Sequence, residues 1–156
     1  MPALTSSLRT EADVQPDKVW FRFLRLHQRM TNGASAQLKT LGLSVAQFDL
    51  ISTLSEREGI SQSELAERLY VTKGNVSGLV DRLVQAGLVQ RRAIAGDRRS
   101  YAMHLTAEGR KLAEAGIALQ HAYVNQTLGQ LAPQDVAQLD LILRDWRDKV
   151  RALDPK

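Results

Sequence analysis

The chain has 156 residues, a formal net charge of +4 and a sequence pI of about 9.7. This length provides for one compact domain with its own core, or for one domain plus a dimerisation arm, and the basic balance suits a polyanionic partner. The chain contains no cysteine, which excludes disulfides, thiolate metal sites and cysteine-based redox sensing within it.

The N-terminal part of the sequence predicts a tail followed by a helix. Residues 1–15 are short of large apolar side chains and predict a flexible tail. They lack the charged start and apolar block of a secretion signal, and no run in the chain approaches the roughly 20 apolar residues of a membrane span, so we expect a cytoplasmic protein without membrane contact. Pro16 and Asp17 predict a helix start. The apolar residues that follow cover more than one helix face, which predicts burial on several sides, and Asn32–Gly33 is a turn signal that would end or kink the helix.

Capping signals divide the next segment into three helices. The segments 44–47 (Ser-Val-Ala-Gln) and 61–64 (Ser-Gln-Ser-Glu) each have the pattern of a capping box. Thr72 is the predicted cap of the third helix, and Gly87 is placed to end that helix in a left-handed conformation. The third helix carries a single core-facing stripe at spacings of three and four, formed by Val76, Leu79, Val80 and Leu83.

A hairpin is predicted after the third helix. Residues 88–92 and 100–105 are short strand candidates, and the turn between them is Ala95-Gly96-Asp97. The hairpin carries a cluster of arginines: Arg91, Arg92, Arg98 and Arg99. The narrow minor groove of DNA concentrates negative potential and attracts arginine, which favours a DNA-binding wing over a solvated charged turn. We expect Asp97 to orient one of these arginines through a charge-assisted bond.

The C-terminal part predicts two further helices. Thr106 is the predicted cap of the first, whose apolar stripe consists of Leu112, Ala115, Leu119 and Ala122. Gly129 and Pro133 separate it from the last helix. The last helix has a heptad-like stripe of Val136, Leu139, Leu143, Trp146 and Val150. This stripe is longer than a small winged domain needs, so it requires a partner helix from the first helix, from a second chain or from both.

The third helix has the features of a helix that reads the major groove. With Val76 at the centre of the buried face, Gly74, Gly78 and Asp81 point outward. Glycine costs up to about 1 kcal/mol of helix stability, and close approach to a groove wall is one reason to accept that cost. Further DNA contacts are predicted on the flanks and at the helix N-terminus. Asn75 suits adenine, Ser77 a base edge or phosphate, Thr72 and Lys73 a phosphate, and Arg82 the DNA backbone.

The residues of the wing and of the helix-turn-helix resemble those of the MarR family of bacterial regulators. The segment 97–106 (Asp-Arg-Arg-Ser-Tyr-Ala-Met-His-Leu-Thr), followed by Ala-Glu-Gly, resembles the wing signature of that family. Upstream, residues 63–66, 76–83 and 87–89 resemble its helix-turn-helix, and the similarity spans roughly residues 20–150. At Gly78 the chain departs from relatives that often carry a larger polar residue there, which puts base contact at that position in question.

The resemblance implies a mainly α-helical fold with a small β-hairpin wing. It implies an N-terminal dimerisation helix at residues 16–42, a winged helix-turn-helix lobe at residues 43–105 and C-terminal dimerisation helices at residues 106–153. It further implies a homodimer on a near-palindromic site, with Arg99 entering the minor groove. A small-molecule pocket between the dimerisation helices and the lobe would control DNA binding.

Ligand-binding candidates lie near the expected pocket. Arginines beside aromatic side chains suit an anionic aromatic ligand, and the candidates are Trp20, Arg22, Arg25, His27, Met30 and Phe48. His27, His104 and His121 have no paired spacing, so we predict no metal site. No cofactor is expected either.

These patterns favour a sequence-specific DNA-binding transcriptional regulator. We expect a repressor that a small, aromatic and anionic ligand releases from its operator, with double-stranded DNA and a second copy of the chain as partners. The alternative is a winged-helix module that binds an acidic protein without reading DNA sequence. No nucleophile–base set, glycine-rich phosphate loop or carboxylate pair indicates an enzyme.

Overall fold

The computed structural model describes residues 14–69 and 73–154, apart from the side chains of Lys73 and Arg98. Most of the predicted tail, and the predicted cap Thr72, lie outside the described residues. The helices are α1 (Pro16–Lys39), α2 (Val45–Glu56), α3 (Gln62–Arg68), α4 (Lys73–Gln85), α5 (Ala107–Gln126) and α6 (Pro133–Arg151). A 3-10 turn, Leu128–Gln130, links the last two. No helix in the described ranges has the length and apolar character needed to cross a membrane.

The strands form one small antiparallel sheet beside the helices. They are β1 (Ile60–Ser61), β2 (Val89–Ile94) and β3 (Asp97–Leu105), in the order β1-β3-β2. The predicted hairpin is confirmed, but its strands are longer than predicted and its turn is shorter. Asp97 belongs to β3, and Gly96 takes the left-handed conformation (φ +86°) in the tight turn before it. β1 was not predicted, because a two-residue strand exists only through its pairing with Ala102 and Met103 of β3.

Local capping signals place the helix ends. Ser44 forms a full capping box with Gln47, with bonds of 3.2 and 2.9 Å. Ser61 accepts from the Glu64 N–H at 3.1 Å, but the carboxylate of Glu64 pairs with Arg68 instead of returning to the cap. The second box is therefore only half formed. After the C-terminal end of α4, Gly87 has φ +72°, as predicted for a glycine that ends a helix in the left-handed conformation.

The first helix differs from its prediction in two ways. It runs without interruption through Asn32–Gly33, so the turn signal was misread. A Cβ at Gly33 would lie 2.8 Å from the Tyr123 hydroxyl oxygen, and the glycine therefore serves close packing of α1 on α5. Burial on several sides is also wrong for a single chain, because Leu38 is the one buried residue in α1 as the structure describes it.

The core lies in the lobe between α2 and β3, and α5 closes it. Its fully enclosed side chains are Leu50, Ile51, Leu54, Leu65, Val76, Val80, Leu83, Val89 and Met103. The α5 stripe is shifted from its prediction: Ala113 and Gly116 are buried, whereas Ala122 is exposed. A Cβ at Gly116 would lie 2.6 Å from the Phe48 ring, so α5 presents small residues to α2. Among the described residues, α6 has none that is buried.

Candidate nucleic-acid interface

Helix α4, the predicted recognition helix, presents a face of glycine and small polar residues to solvent. Val76, Val80 and Leu83 are fully enclosed, which fixes the rotation of the helix. Gly74, Gly78 and Asp81 are exposed on the opposite side, as predicted. A Cβ at Gly74 or Gly78 would meet no atom of the described residues within 4 Å. Packing within the chain therefore does not require either glycine, although each costs about 1 kcal/mol of helix stability.

The polar residues of α4 flank this glycine face. Asn75 is exposed and Ser77 is half-buried. Arg82 is exposed, and its Nε donates to the carbonyl oxygen of Gly78 at 3.2 Å, which lays the guanidinium back along the helix. The backbone of Lys73 begins α4. The helix N-terminus therefore supplies backbone N–H groups that favour an anion.

The wing exposes its tip, and Asp97 shapes it. Arg92, Asp97 and Arg99 are exposed. Asp97 was predicted to orient an arginine side chain, but its Oδ1 accepts from the backbone N–H of Arg99 at 2.9 Å. The Ser100 hydroxyl and the Arg99 N–H hold the pKa of Asp97 below its ordinary value. Asp97 thus stays ionised and fixes the backbone of the turn, as short acidic side chains commonly do.

Arg91 lies in an internal contact. Its Nη2 pairs with Oδ1 of Asp81 on α4, and its Nε donates to Oε1 of Gln62 on α3 at 3.2 Å. The Arg91 side chain is 28% exposed. It was predicted to contact DNA together with Arg98 and Arg99, and the structure separates it from the exposed Arg99 at the tip.

Glu58 connects the lobe to α5, and sequence reasoning missed it. Its Oε1 accepts from the Leu105 N–H at 3.0 Å and from Nη2 of Arg110 at 2.7 Å. Its Oε2 lies 3.9 Å from Nδ1 of His104. Burial alone would raise the pKa of Glu58, but the Leu105 N–H and the Arg110 guanidinium together lower it. Its partners are 46 to 52 positions away in the chain, so no local pattern marks them.

The predicted ligand residues do not come together. Trp20 lies on Trp146 of α6, with ring centroids 5.9 Å apart, and His27 stacks on Phe23. Arg22 and Arg25 line a shallow groove on α1 with Phe21, and Met30 is exposed. Phe48 is buried where α2 packs on α5, against Gly116.

Phe48 instead borders a cleft enclosed by α1, α2 and α5. The cleft has about 80 Å³ of space and is lined by Ala34, Gln37, Leu38, Val45, Phe48, Asp49, Leu119, Gln120 and Tyr123. Within this lining set Asp49 is the charged residue, and burial raises its pKa. Across the described ranges no three His, Cys, Asp or Glu residues are grouped to hold a metal ion.

Comparison with known proteins identifies the family. Residues 41–100 match the MarR family model. An HTH-type transcriptional repressor of Mycobacterium bovis is 38% identical over 101 residues, which cover 64% of this chain and 73% of the relative. AbsC, a MarR family transcriptional regulator from Streptomyces coelicolor, superposes with a TM-score of 0.80 at 27% identity, covering 87% of this chain and 94% of AbsC.

A further neighbour shares the fold alone. Streptococcus pneumoniae FabT in complex with DNA superposes with a TM-score of 0.80 at 18% identity, covering 90% of this chain and all of that one (100%). The winged helix-turn-helix, the matched family segment and the similar repressor agree. The chain therefore belongs to the MarR family of DNA-binding transcriptional regulators.

Proposed function

We propose that the protein is a homodimeric repressor that binds a near-palindromic operator and is released by a small molecule. The observation that carries this proposal is the exposed glycine face of α4 beside a wing whose tip exposes Arg99. A smooth helix face can approach the floor of the major groove while an arginine beside it enters the minor groove. The winged-helix protein module is the alternative outcome of the tests below.

The contacts with DNA fall into two groups in this proposal. Asn75 and Ser77 read base edges, because amide and hydroxyl groups pair with donors and acceptors in the major groove. The cations and the helix N-terminus hold the phosphates and the minor groove and give affinity without sequence preference. This second group consists of Thr72, Lys73, Arg82, Arg98 and Arg99.

The exposed apolar surface of α1 and α6 supports the homodimer. Phe21 is 57% exposed and Leu141 is 67% exposed. Many large apolar side chains exposed on two helices are uncommon on a monomer and are typical of an interaction site. A second copy related by twofold symmetry would cover the helices and place two α4 helices on one side of the duplex, where they would read half-sites one helical turn apart.

Binding to the promoter beside the gene for this protein tests the main proposal. Fluorescence anisotropy at two salt concentrations should show tight binding by the wild type and weaker binding by Arg99→Ala. The salt slope should fall by about 0.9 for each phosphate interaction lost. Arg144→Ala is the matched control, because Arg144 is also an exposed arginine but pairs with Asp140 on α6. An unchanged slope for Arg99→Ala would contradict the wing contact, and no binding at low salt would favour the protein-interaction module.

Sequence reading has its own test. Asn75→Ala should relax the consensus that wild-type protein selects from random duplexes, at about one base pair per half-site. Loss of a bidentate contact typically removes about 1–3 kcal/mol of discrimination. An unaltered consensus would refute the role of Asn75, whereas uniform loss of affinity would assign it to the backbone.

The release step is proposed to act through the cleft between α1, α2 and α5. The resemblance implies an aromatic anion, but Asp49 in the cleft favours a neutral or cationic effector. Benzylamine, which is a cation at neutral pH, and salicylate are single-ring probes of opposite charge and suit a cleft of this size. Release of DNA by the cation, weakened in Asp49→Asn, would support this assignment. Release by salicylate alone, unaffected in Asp49→Asn, would place the effector elsewhere.

A further inference from the structure

The wing leaves the hydrophobic core at Arg91. Val89 is buried, Arg91 is half-buried, and the rest of β2 from Arg92 onward is exposed. Arg91 pairs in register with the buried Met103 of β3, and the ladder becomes irregular between Ala93 and Ile94. A two-stranded ribbon is only marginally stable by itself. The direction of the wing tip therefore depends on what holds the ribbon at its base.

The guanidinium of Arg91 joins that base to two helices. It pairs with Asp81 on α4 and donates to Gln62 on α3 at 3.2 Å. A planar guanidinium with donors in a fixed fork holds two acceptors in one geometry, which a flexible ammonium would not do. The wing strand, the recognition helix and α3 consequently meet at one side chain.

The sign of the charge on Asp81 is the informative point. Its side chain is 55% exposed on the same side of α4 as Gly74 and Gly78. A carboxylate on that side repels DNA phosphates, and Arg91 neutralises it. If Arg91 turned toward DNA, it would leave this carboxylate uncompensated. The two groups thus belong together while the protein binds DNA.

We propose that Arg91 is a positioning residue: through Asp81 and Gln62 it fixes the angle between the wing and the recognition helix, and it does not contact DNA. The proposal rests on DNA binding by α4 and the wing. It gives Arg91 a different role from the exposed Arg99, and it gives an acidic residue a favourable role in binding a polyanion.

The substitution Asp81→Asn separates the two effects by sign. Electrostatics alone predicts tighter DNA binding, because a negative charge is removed near phosphates. Loss of the Arg91–Asp81 pair, the anchor of the wing on α4, predicts weaker binding. The expected decrease is about fivefold to tenfold, as when one partner of a coupled pair is removed. Glu67→Gln is the control, since Glu67 is an exposed acid on the neighbouring helix α3. It should leave DNA affinity unchanged or slightly increased.

The substitution Arg91→Gln separates positioning from contact. It should weaken DNA binding as much as Asp81→Asn does while leaving the salt slope unchanged. The double variant should bind no more weakly than the weaker single variant, because both changes break one link. A salt slope that falls by about 0.9 per wing would identify a phosphate contact and overturn the proposal.

A readout without DNA completes the test. Because the chain has no cysteine, Ala95→Cys provides one nitroxide site at the wing tip of each chain. The electron paramagnetic resonance spectrum should show greater label mobility in Asp81→Asn and Arg91→Gln than in the wild type or Glu67→Gln. Tighter DNA binding by Asp81→Asn, or unchanged mobility in both variants, would overturn the proposal. Failure of the wild type to bind any DNA would instead contradict the proposed function, and the mobility measurement would still test the anchor.

Discussion

The lobe proposed to bind DNA (residues 43–105) and the arms (α1 and α6) are stabilised in different ways. The lobe contributes fourteen apolar residues to the buried core that the structure describes within a single chain. The arms contribute Leu38 alone to the buried set of the described residues. They expose large apolar residues instead: Val19, Trp20, Phe21, Phe23, Leu24, Leu26, Met30, Leu141, Ile142, Leu143 and Val150.

This difference means that a single chain can stabilise α4 and the wing, but it does not fix the distance between two such units. Burial of apolar area stabilises the lobe without a partner. The arms gain comparable burial only by covering one another or a second chain. Substitutions in the lobe should therefore change folding, and substitutions in the arms should change assembly.

The largest effect is expected where the lobe meets α5. A Cβ at Gly109 would lie 1.9 Å from the carbonyl oxygen of Leu88, which accepts the Thr106 N–H. Gly109→Ala should lower the free energy of unfolding by about 3 kcal/mol or more, because backbone must move. Urea denaturation would measure the change.

Gly78→Ala is the matched control for that substitution. A Cβ there would meet no atom within 4 Å in the part of the chain that the structure describes, so the variant should gain up to about 1 kcal/mol in folding stability. It should nevertheless bind DNA more weakly, since a methyl group would separate α4 from the groove. If Gly109→Ala were as stable as Gly78→Ala, the close approach of Gly109 to the Leu88 carbonyl would be contradicted.

The arms should respond through assembly. Leu143→Asp adds a charge to exposed apolar surface on α6 and should convert the proposed dimer to a monomer in multi-angle light scattering. Operator affinity should fall by about a hundredfold or more, because two linked half-site contacts become one. Gln138→Asp, an exposed polar position on the same helix, should leave both unchanged. A monomeric variant that keeps full operator affinity would remove the distinction between lobe and arms.

A smaller effect with a defined pH dependence is expected at Glu58. The pKa of Glu58 lies below its ordinary value of 4.5. The stability that its ionised carboxylate contributes is therefore present at neutral pH and is lost as the pH falls from 4.5 through the folded-state pKa. Glu58→Gln should lower the free energy of unfolding by about 1–2 kcal/mol at neutral pH. Once the pH lies below the folded-state pKa of Glu58, the variant and the wild type should converge. If the stability difference between the variant and the wild type did not shrink on acidification, the ionised Glu58 carboxylate would not be the stabilising group.

The smallest effect is expected for an ion pair on the arm surface. Asp140 and Arg144 are 2.9 Å apart but both mainly exposed. Asp140→Asn should change the free energy of unfolding by less than about 0.5 kcal/mol. A larger change would mean that this pair is covered in the dimer.

Local chemistry made much of the fold predictable. The caps Ser44, Ser61 and Thr106 and the stop at Gly87 were confirmed, because each acts through backbone groups within a few residues. Gly33 was misread because a glycine that permits close helix packing and one that ends a helix look alike in sequence.

The candidate site was less predictable where it depends on distant partners. The outward face of α4 followed from helical periodicity alone. The contacts of Arg91 with Asp81 and Gln62 could not be predicted in this way. These partners lie 10 and 29 positions away in the sequence, and only the folded chain brings them together. The same holds for the ligand residues. Trp20 and Phe48 were grouped by expected location, whereas Trp20 contacts Trp146 of α6 and Phe48 lines the cleft between α1, α2 and α5.

The distribution of phenylalanine makes the molecule suited to spectroscopy. Of the three phenylalanines, Phe48 lies against Gly116 where α2 packs on α5. Phe21 and Phe23 are exposed on α1. Biosynthetic incorporation of fluorophenylalanine would therefore give one ¹⁹F signal that senses sliding of α5 on α2 and two that sense subunit association. Titration with an effector or with operator DNA would then reveal which event comes first.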